Sequence, residues 1–470
     1  MTSLFRTSAT LFLVTCVVAG AFGQAAVDWG GSLSTTNTVQ SVPEGSDDDT
    51  FLNSERLVLY LSTPLGQRWE FVSQAAATFN SEPVPDVDAE KFYFRNVIDF
   101  TAESERRTVE QRGGLIQLAS RIGRFNLADP TGQVMSHTVD GVNFRISGAS
   151  SEIELGAGYT GFINKEFSRA AMSRQDSDDS ANTDVYFGPP RLLGRGTLAY
   201  PELLAGQNVS LSFAFQQDLR DPDSVVQEGA TQGQAEANVD ADGGLVDTQY
   251  AILRVDGPIP GVSSLFYSLS YVFNTGRTIG LLVDDAGGEE IYQYKPIRGH
   301  LVDGTVQYFM PSFFSSAAAL GVVYSSGDSD YTSFVEGNSA DNATMFTAVT
   351  PAGRGAVFGL QSGNSTVGEI SFSMKPFSES DGILKSLQTR AVLYSFFRSA
   401  GSGVVSVSDV DKDTNGAYLG SEVDLDIRWR PFSDVGLGLT TGFLLANDDV
   451  LLDGANSTDY RVRLSASLSF

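Results

Sequence analysis

The stretch from Asp459 to Phe470 constrains this chain more than any other. Tyr460, Val462, Leu464, Ala466, Leu468 and Phe470 fall on every second position, with Arg461, Arg463, Ser465, Ser467 and Ser469 between them. A strand points successive side chains to opposite faces, so this segment has one apolar and one polar face at period two. It ends on an aromatic residue.

The same two-faced pattern recurs from Val27 onward, broken by two kinds of connection. Short breaks carry Pro at Pro64, Pro201, Pro258, Pro311, Pro376 and Pro431, the last five spaced 57, 53, 65 and 55 residues apart. Two further breaks, Gln111 to Gly114 and Ser147 to Ser151, fit the interval between Pro64 and Pro201. The other connections are long, acidic and rich in Ser, Asn and Asp. From Pro258 to Pro311, Leu265, Tyr267, Leu269, Tyr271 and Phe273 share one face. An acidic stretch with Asp284, Asp285, Glu289 and Glu290 follows, and then Val302, Gly304, Val306 and Tyr308 alternate with Asp303, Thr305 and Gln307. Each interval therefore reads as strand, long loop, strand. Eight short turns with both free ends on the same side predict 18 strands, within a range of 16–18. The weakest strand lies between Asn182 and Tyr200, where Gly188-Pro189-Pro190 implies a loop or a bulge.

That many apolar faces exceed what one buried core absorbs. In lipid every backbone N–H and C=O must pair within the protein, so only a helix or a closed barrel spans it. The expected fold is all-β: a closed antiparallel transmembrane β-barrel forming one domain over residues 24–470, with short periplasmic turns and long extracellular loops. Trp29, Trp69, Phe92, Tyr93, Tyr308, Phe309, Phe313, Phe314, Trp429 and Phe432 lie near proposed strand ends, as interfacial girdles require. Ordinary β-propensity enriches aromatics too.

Met1 to Gly23 has the form of a secretory signal peptide. Arg6 is its positive region, Ala9 to Phe22 its apolar region, and Ala21-Phe22-Gly23 a small-x-small cleavage site. The sole cysteine, Cys16, lies inside it, so the mature chain would hold no thiol and no disulfide. Leu13-Val14-Thr15-Cys16 is a loose lipobox, but apolar residues continue to Phe22 where a lipoprotein turns polar.

Net charge is −26, and only six of the 31 basic residues are Lys, which argues against a nucleic-acid partner. His137 and His300 have no neighbour at ligand spacing, so no metal site or cofactor is expected. There is no Gly-x-Ser-x-Gly elbow and no Walker loop, and the chain reads as a non-enzyme.

With apolar positions facing lipid, their neighbours face inward. That parity assigns Arg95, Arg121, Arg145, Arg254, Arg390, Arg428, Arg461 and Arg463 to the lumen, together with Glu152, Glu154, Asp303, Glu369, Asp424 and Asp426. Arginine is always charged and its planar fork holds carboxylate or phosphate with two bonds, so a wet ladder of Arg would favour anionic solutes. The competing reading is that these Arg simply pair with the acids. Asp47-Asp48-Asp49 and Asp176 to Asp179 have a sharper reading as divalent-cation sites at the lipid headgroups and a bland one as solvated loop surface; no ligand spacing is read as an EF-hand.

The closing strand, with Tyr460, Val462, Leu464, Ala466, Leu468 and Phe470, resembles the terminal strand of bacterial outer-membrane β-barrels. That resemblance implies a signal read by the barrel-assembly machinery and residence in the outer membrane of a Gram-negative-type envelope. Gly420 to Asp426, Trp429-Arg430-Pro431 and the strand Val435 to Phe443 resemble the carboxy-terminal hairpin of alginate-export-type barrels. Gly123-Arg124-Phe125-Asn126-Leu127 with Asp140-Gly141 is similar to the same family's Gly-Arg-Gln-x-Leu segment, with Phe125 in place of Gln. The resemblance implies an 18-stranded pore transporting uronate polymers or other small acidic solutes. The expected function is a porin for passive or selective diffusion of small hydrophilic solutes; the alternative is a surface barrel or adhesin acting through its acidic loops. Oligomeric state stays open. The mass of the chain purified from an exporting host should correspond to a start at Gln24; a mass carrying lipid on Cys16 would contradict it.

Overall fold

The computed structural model describes residues 27–41, 50–80, 86–101, 115–170, 172–231, 234, 244–283, 290–331, 334 and 342–470. The signal segment, Cys16, Asp47 to Asp49, the break at Gln111 to Gly114, and Asp284, Asp285 and Glu289 lie outside them.

Period-two sequence becomes strand throughout. The strands are β1 (Asp28–Gln40), β2 (Thr50–Leu65), β3 (Trp69–Asn80), β4 (Asp86–Thr101), β5 (Leu115–Ala128) and β6 (Ser136–Ser147). They continue as β7 (Glu152–Tyr159), β8 (Arg191–Leu204), β9 (Gln207–Asp218), β10 (Asp247–Pro258), β11 (Leu265–Val283) and β12 (Glu290–Met310). The series ends with β13 (Ser316–Ser325), β14 (Ser365–Met374), β15 (Gln388–Arg398), β16 (Tyr418–Trp429), β17 (Val435–Ala446) and β18 (Thr458–Ser469). Among the described residues one short α-helix, α1 (Arg174–Ala181), sits between β7 and β8. Each strand pairs antiparallel with its sequence neighbours, and β1 pairs with β18, so the 18-stranded sheet closes on itself.

The predicted breaks among the described residues fall at one end of this barrel. Pro64 and Pro258 lie at the ends of β2 and β10, and Pro311, Pro376 and Pro431 lie in the turns after β12, β14 and β16. Pro201 lies inside β8, whose pairing with β9 shifts register between Tyr200 and Leu204 just before the turn at Gly206. Gly188-Pro189-Pro190 precedes β8, so the predicted interruption is a loop. β11 and β12 are 19 and 21 residues long, well beyond the alternation read for them. Strands of about 9–11 residues suffice to cross a bilayer. The excess continues the ladder to Val283 and Glu290.

Register sorts the side chains into two walls. Leu155, Leu211, Phe213, Leu269, Leu320, Ile370, Val423 and Leu464 are exposed on the outside. A contiguous apolar exterior of this extent belongs in lipid or against a partner. The buried core is inside the barrel instead. Phe125, Leu127, Val139, Leu193, Ile252, Val272 and Leu301 from the wall pack with Val134, Met135, Met172, Phe346 and Val349 from connecting segments. A second cluster joins Phe396, Val392 and Leu444 to Phe358, Leu360 and Val405.

Closure rests on the two ends of the chain. Gly31 N–H donates to the Phe470 carbonyl and Phe470 N–H to the Gly31 carbonyl, both at 3.0 Å. A Cβ on Gly31 would lie 2.7 Å from both the Phe470 ring and the Val58 carbonyl oxygen, and one on Gly30 would lie 2.6 Å from the Phe470 carbonyl oxygen. Gly31→Val is therefore expected to strain the seam by about 1–3 kcal/mol, as overpacking does. Urea unfolding followed by heat-modifiable gel mobility measures it; an unchanged midpoint would show that the seam tolerates the side chain.

Candidate functional site: the arginine-bearing inner wall

The ladders place the sequence-predicted charges on one face. Arg95 lies opposite Arg121 across β4 and β5, and Arg145 opposite Glu154 across β6 and β7. Ser270 faces both Arg254 and Asp303, and Arg390 lies opposite Asp426. Gln388 lies opposite Arg428, Gln40 opposite Arg461, and Thr38 opposite Arg463. This is the face that carries the buried clusters, not the exposed aliphatic side chains.

Several of these arginines are paired as the bland reading expects. Arg145 meets Glu152 at 3.3 Å and Glu154 at 3.1 Å, Arg254 meets Asp256 at 2.9 Å, and Arg390 meets Glu369 at 2.7 Å. Arg95 lies 3.4 Å from Glu70, about half exposed. Such exposed pairs contribute little to stability, about 0–1 kcal/mol. Arg121 differs. Among the described residues it has no carboxylate partner; its guanidinium stacks 4.8 Å from the Tyr93 ring centroid and 5.5 Å from that of Phe125. Stacking on two rings fixes the plane of the fork without neutralising it.

A cavity of about 430 Å³ opens here, lined by Arg95, Arg121, Arg145, Arg195, Asn143 and Glu154 among others. Glu154 is consumed locally: Asn143 Nδ2 donates to it at 3.1 Å, and Arg145 and Arg195 both pair with it. With Glu70 on Arg95 and Glu152 on Arg145, the four arginines face three carboxylates among the described residues, which leaves Arg121 in excess. Arg195 was not singled out from sequence. Its signal was present, since Arg191, Leu193, Arg195 and Thr197 alternate with Leu192, Gly194, Gly196 and Leu198, but the preceding prolines obscured the strand.

Two connecting segments narrow the interior. In the first, between β5 and β6, the Asp129 carboxylate accepts N–H bonds from Gly132, Val134 and Met135 at 3.1, 3.1 and 2.8 Å. That folds Gln133 inward, and its Nε2 donates to Asp303 at 3.0 Å. The second lies between β13 and β14. At one wall, Tyr250 Oη of β10 donates to the Thr347 carbonyl at 2.7 Å, and Val349 N–H donates to the Val134 carbonyl at 2.9 Å. At the other, Ala356 N–H donates to Asp424 at 3.0 Å, and Val357 and Phe358 N–H donate to Glu422 at 2.8 and 2.9 Å. Arg461 donates to the Ala356 carbonyl at 2.6 Å. β10 and β18 are eight strands apart in a ring of 18, so this segment crosses nearly a full diameter.

Asp424 is thus buried, 7% exposed, beneath the segment it anchors, and Arg461 is its companion. Asp426 instead accepts from Thr440 Oγ1 at 2.7 Å. Glu422, not singled out from sequence, holds two of the three amide bonds. Nothing local signals it, since its partners lie 64 and 65 residues away.

The acidic run Asp176 to Asp179 is corrected in part. Asp176 is buried, caps α1 together with Ser173, and pairs at 2.5 Å with the fully buried Arg191. Arg191 and Arg220 both also meet Asp218, closing a buried quartet. Asp176 is therefore a buried ion-pair partner. A spacing passed over in the sequence is Asp411-Lys412-Asp413-Thr414-Asn415-Gly416 with Glu422, which matches a calcium loop. Here Asp411 accepts from Asp413 N–H at 2.9 Å and Thr414 Oγ1 at 2.7 Å, bonds that hold its carboxyl below the usual carboxylate range. Glu422 is occupied by the crossing segment, and among the described residues no group of three acidic side chains gathers that could hold a metal ion.

The solved structures that align over nearly the whole chain include two from Pseudomonas aeruginosa. Pseudomonas aeruginosa OccK11 (OpdR) is 11% identical with TM-score 0.52, covering 94% of this chain and 96% of that one. Pseudomonas aeruginosa OpdL is 13% identical with TM-score 0.52, covering 94% and 99%. The barrel fold is shared with both. No family model matches the sequence, and no curated protein does. The alginate-export resemblance gains no support from these neighbours. Its residues have generic barrel roles: Gly420 to Phe443 span the β16–β17 hairpin, and Arg124 forks onto Asp140 at 2.9 and 2.8 Å across β5 and β6. Phe125, in the place of Gln, is buried in the core.

Glu422→Ala is expected to release residues 357 and 358, since each bond from an amide to a charged carboxylate contributes roughly 1.5–3 kcal/mol. Single-channel recording should show a larger conductance with more open-state noise. Unchanged conductance would mean that the crossing segment is held elsewhere.

Proposed function

We propose that this chain is an outer-membrane channel that admits small hydrophilic acidic solutes, with Arg95, Arg121, Arg145 and Arg195 as the principal stopping place inside the pore. The observation that carries this reading is the cavity on the inner wall, where Arg95, Arg145 and Arg195 are paired with Glu70, Glu152 and Glu154 while Arg121, aromatically clamped, has no carboxylate partner among the described residues. The likeness in fold to the Occ and Opd outer-membrane channels supports a pore. Beyond this site, Arg254, Arg390, Arg428, Arg461 and Arg463 continue the basic lining toward other sectors of the wall, with Asp426 set among them.

Segments that an adhesin would present outward turn inward here, at residues 129–135 and 343–358, which favours traffic over attachment. Export would use residues 1–23 as signal peptide, leaving residues 24–470 as the barrel. The outward row Tyr460, Val462, Leu464, Ala466, Leu468 and Phe470 would be the face offered to the assembly machinery, and outer-membrane lipid the surrounding solvent.

In a planar bilayer across a KCl gradient, the reversal potential should report anion preference, and Arg95→Glu with Arg121→Glu should move it toward cations. Arg121→Ala should shorten the residence of a small dicarboxylate about tenfold, the equivalent of roughly 1.4 kcal/mol for one lost charge-assisted contact. Cation preference in the unaltered protein would overturn the acidic-solute reading.

A further inference from the structure

One stretch of the outer wall departs from a continuous apolar belt. Trp429, Leu437, Ala466 and Thr35 are cross-strand neighbours along β16, β17, β18 and β1, and Ile427, Leu439, Leu464 and Asn37 form the adjacent row. Ala466 contributes only a methyl group between larger neighbours, and a groove of about 370 Å³ opens there. All eight residues are on the outward face, so the groove is walled off from the pore.

Its lower boundary is built by the 13-residue turn after β14. Trp429 Nε1 donates to the Ile383 carbonyl at 2.9 Å, and Ser386 Oγ both donates to the Arg430 carbonyl at 2.5 Å and accepts from Arg430 N–H at 3.2 Å. These bonds draw the turn against the β16–β17 turn and place Leu387 on the groove. Ile383 and Leu384 stay exposed beside it. The two joined turns that bound the groove carry exposed charges of both signs, among them Lys385 and Arg430, and Asp381 and Asp434.

We propose that this groove holds one acyl chain of a zwitterionic glycerophospholipid, with its phosphate at Lys385 and Arg430 and its ammonium at Asp381 and Asp434. The inference rests on the membrane-embedded reading above. Lipid tails are as apolar as leucine, so the groove gains from close packing alone and does not by itself distinguish one lipid from another. Discrimination comes from the head group at the rim, where charges lie at the membrane boundary. Trp429, pinned by its indole N–H, stands at that boundary as interfacial tryptophans do.

The test uses the full mature chain in phosphatidylglycerol vesicles holding a minor share of phosphatidylethanolamine brominated on its acyl chains. Two single-tryptophan proteins are compared: Trp29→Phe with Trp69→Phe, leaving Trp429, and Trp69→Phe with Trp429→Phe, leaving Trp29. Trp429 should be quenched beyond the brominated share and Trp29 only in proportion to it. Ala466→Phe, which fills the groove, and Lys385→Glu with Arg430→Glu, which inverts the rim, should each remove the excess. Equal quenching of the two tryptophans, or an excess that survives Ala466→Phe, overturns the site. The same excess for brominated phosphatidylglycerol in phosphatidylethanolamine vesicles overturns the head-group assignment. Failure of the chain to gain a heat-modifiable band in any vesicle overturns the membrane reading and the site with it.

Discussion

The structure depends on pairing every backbone N–H and C=O without help from water. A flat sheet of 18 strands would leave two open edges, and an apolar exterior offers those edges no solvent to bond. Joining β1 to β18 removes both at once. The joint is a ladder of nine pairs, from Ser32 opposite Ser469 to Gln40 opposite Arg461, extended at one end by the reciprocal bonds of Gly31 with the Phe470 backbone. Closure also inverts the usual arrangement of a globular protein. Apolar side chains that would form a core face outward, and the packed interior must be assembled from what remains on the inner face.

That second demand explains why the connecting segments behave as they do. An inner wall with arginines and carboxylates cannot pack dry by itself, and it offers hydrogen-bond partners to any backbone that enters. Residues 129–135 enter by satisfying Asp129 internally and presenting Gln133 to Asp303. Residues 343–358 enter by giving three amides to Glu422 and Asp424. Positive charge at the cavity of Arg95, Arg121, Arg145 and Arg195 survives because neither segment supplies a carboxylate there.

Much of this was legible in the sequence because period two is a local property. The strand count, the turn positions from Pro258 to Pro431 and the shared face of the arginines follow from spacing alone, since ladder pairing preserves side-chain parity from strand to strand. What failed was whatever depends on contacts far apart in the chain. Asp176 read as surface because a run of acids looks solvated, yet it meets Arg191 in the interior of a buried quartet. Asp424 read as open wall because its cover arrives from a loop 68 residues earlier. The length of β11 and β12 was missed because their outer halves, such as Thr278 opposite Lys295, lose the apolar alternation while keeping the ladder.

The crossing segment also has a mechanical consequence. A hollow cylinder of strands is soft toward flattening, because its hydrogen bonds resist stretching along the circumference far better than bending around it. Residues 347–358 are moored to β10 at one end and to β16 and β18 at the other, so they act as a strut across that soft direction. The cross-section, and with it the spacing between arginines on facing walls, is set by a tether of about a dozen residues and not by the strands alone.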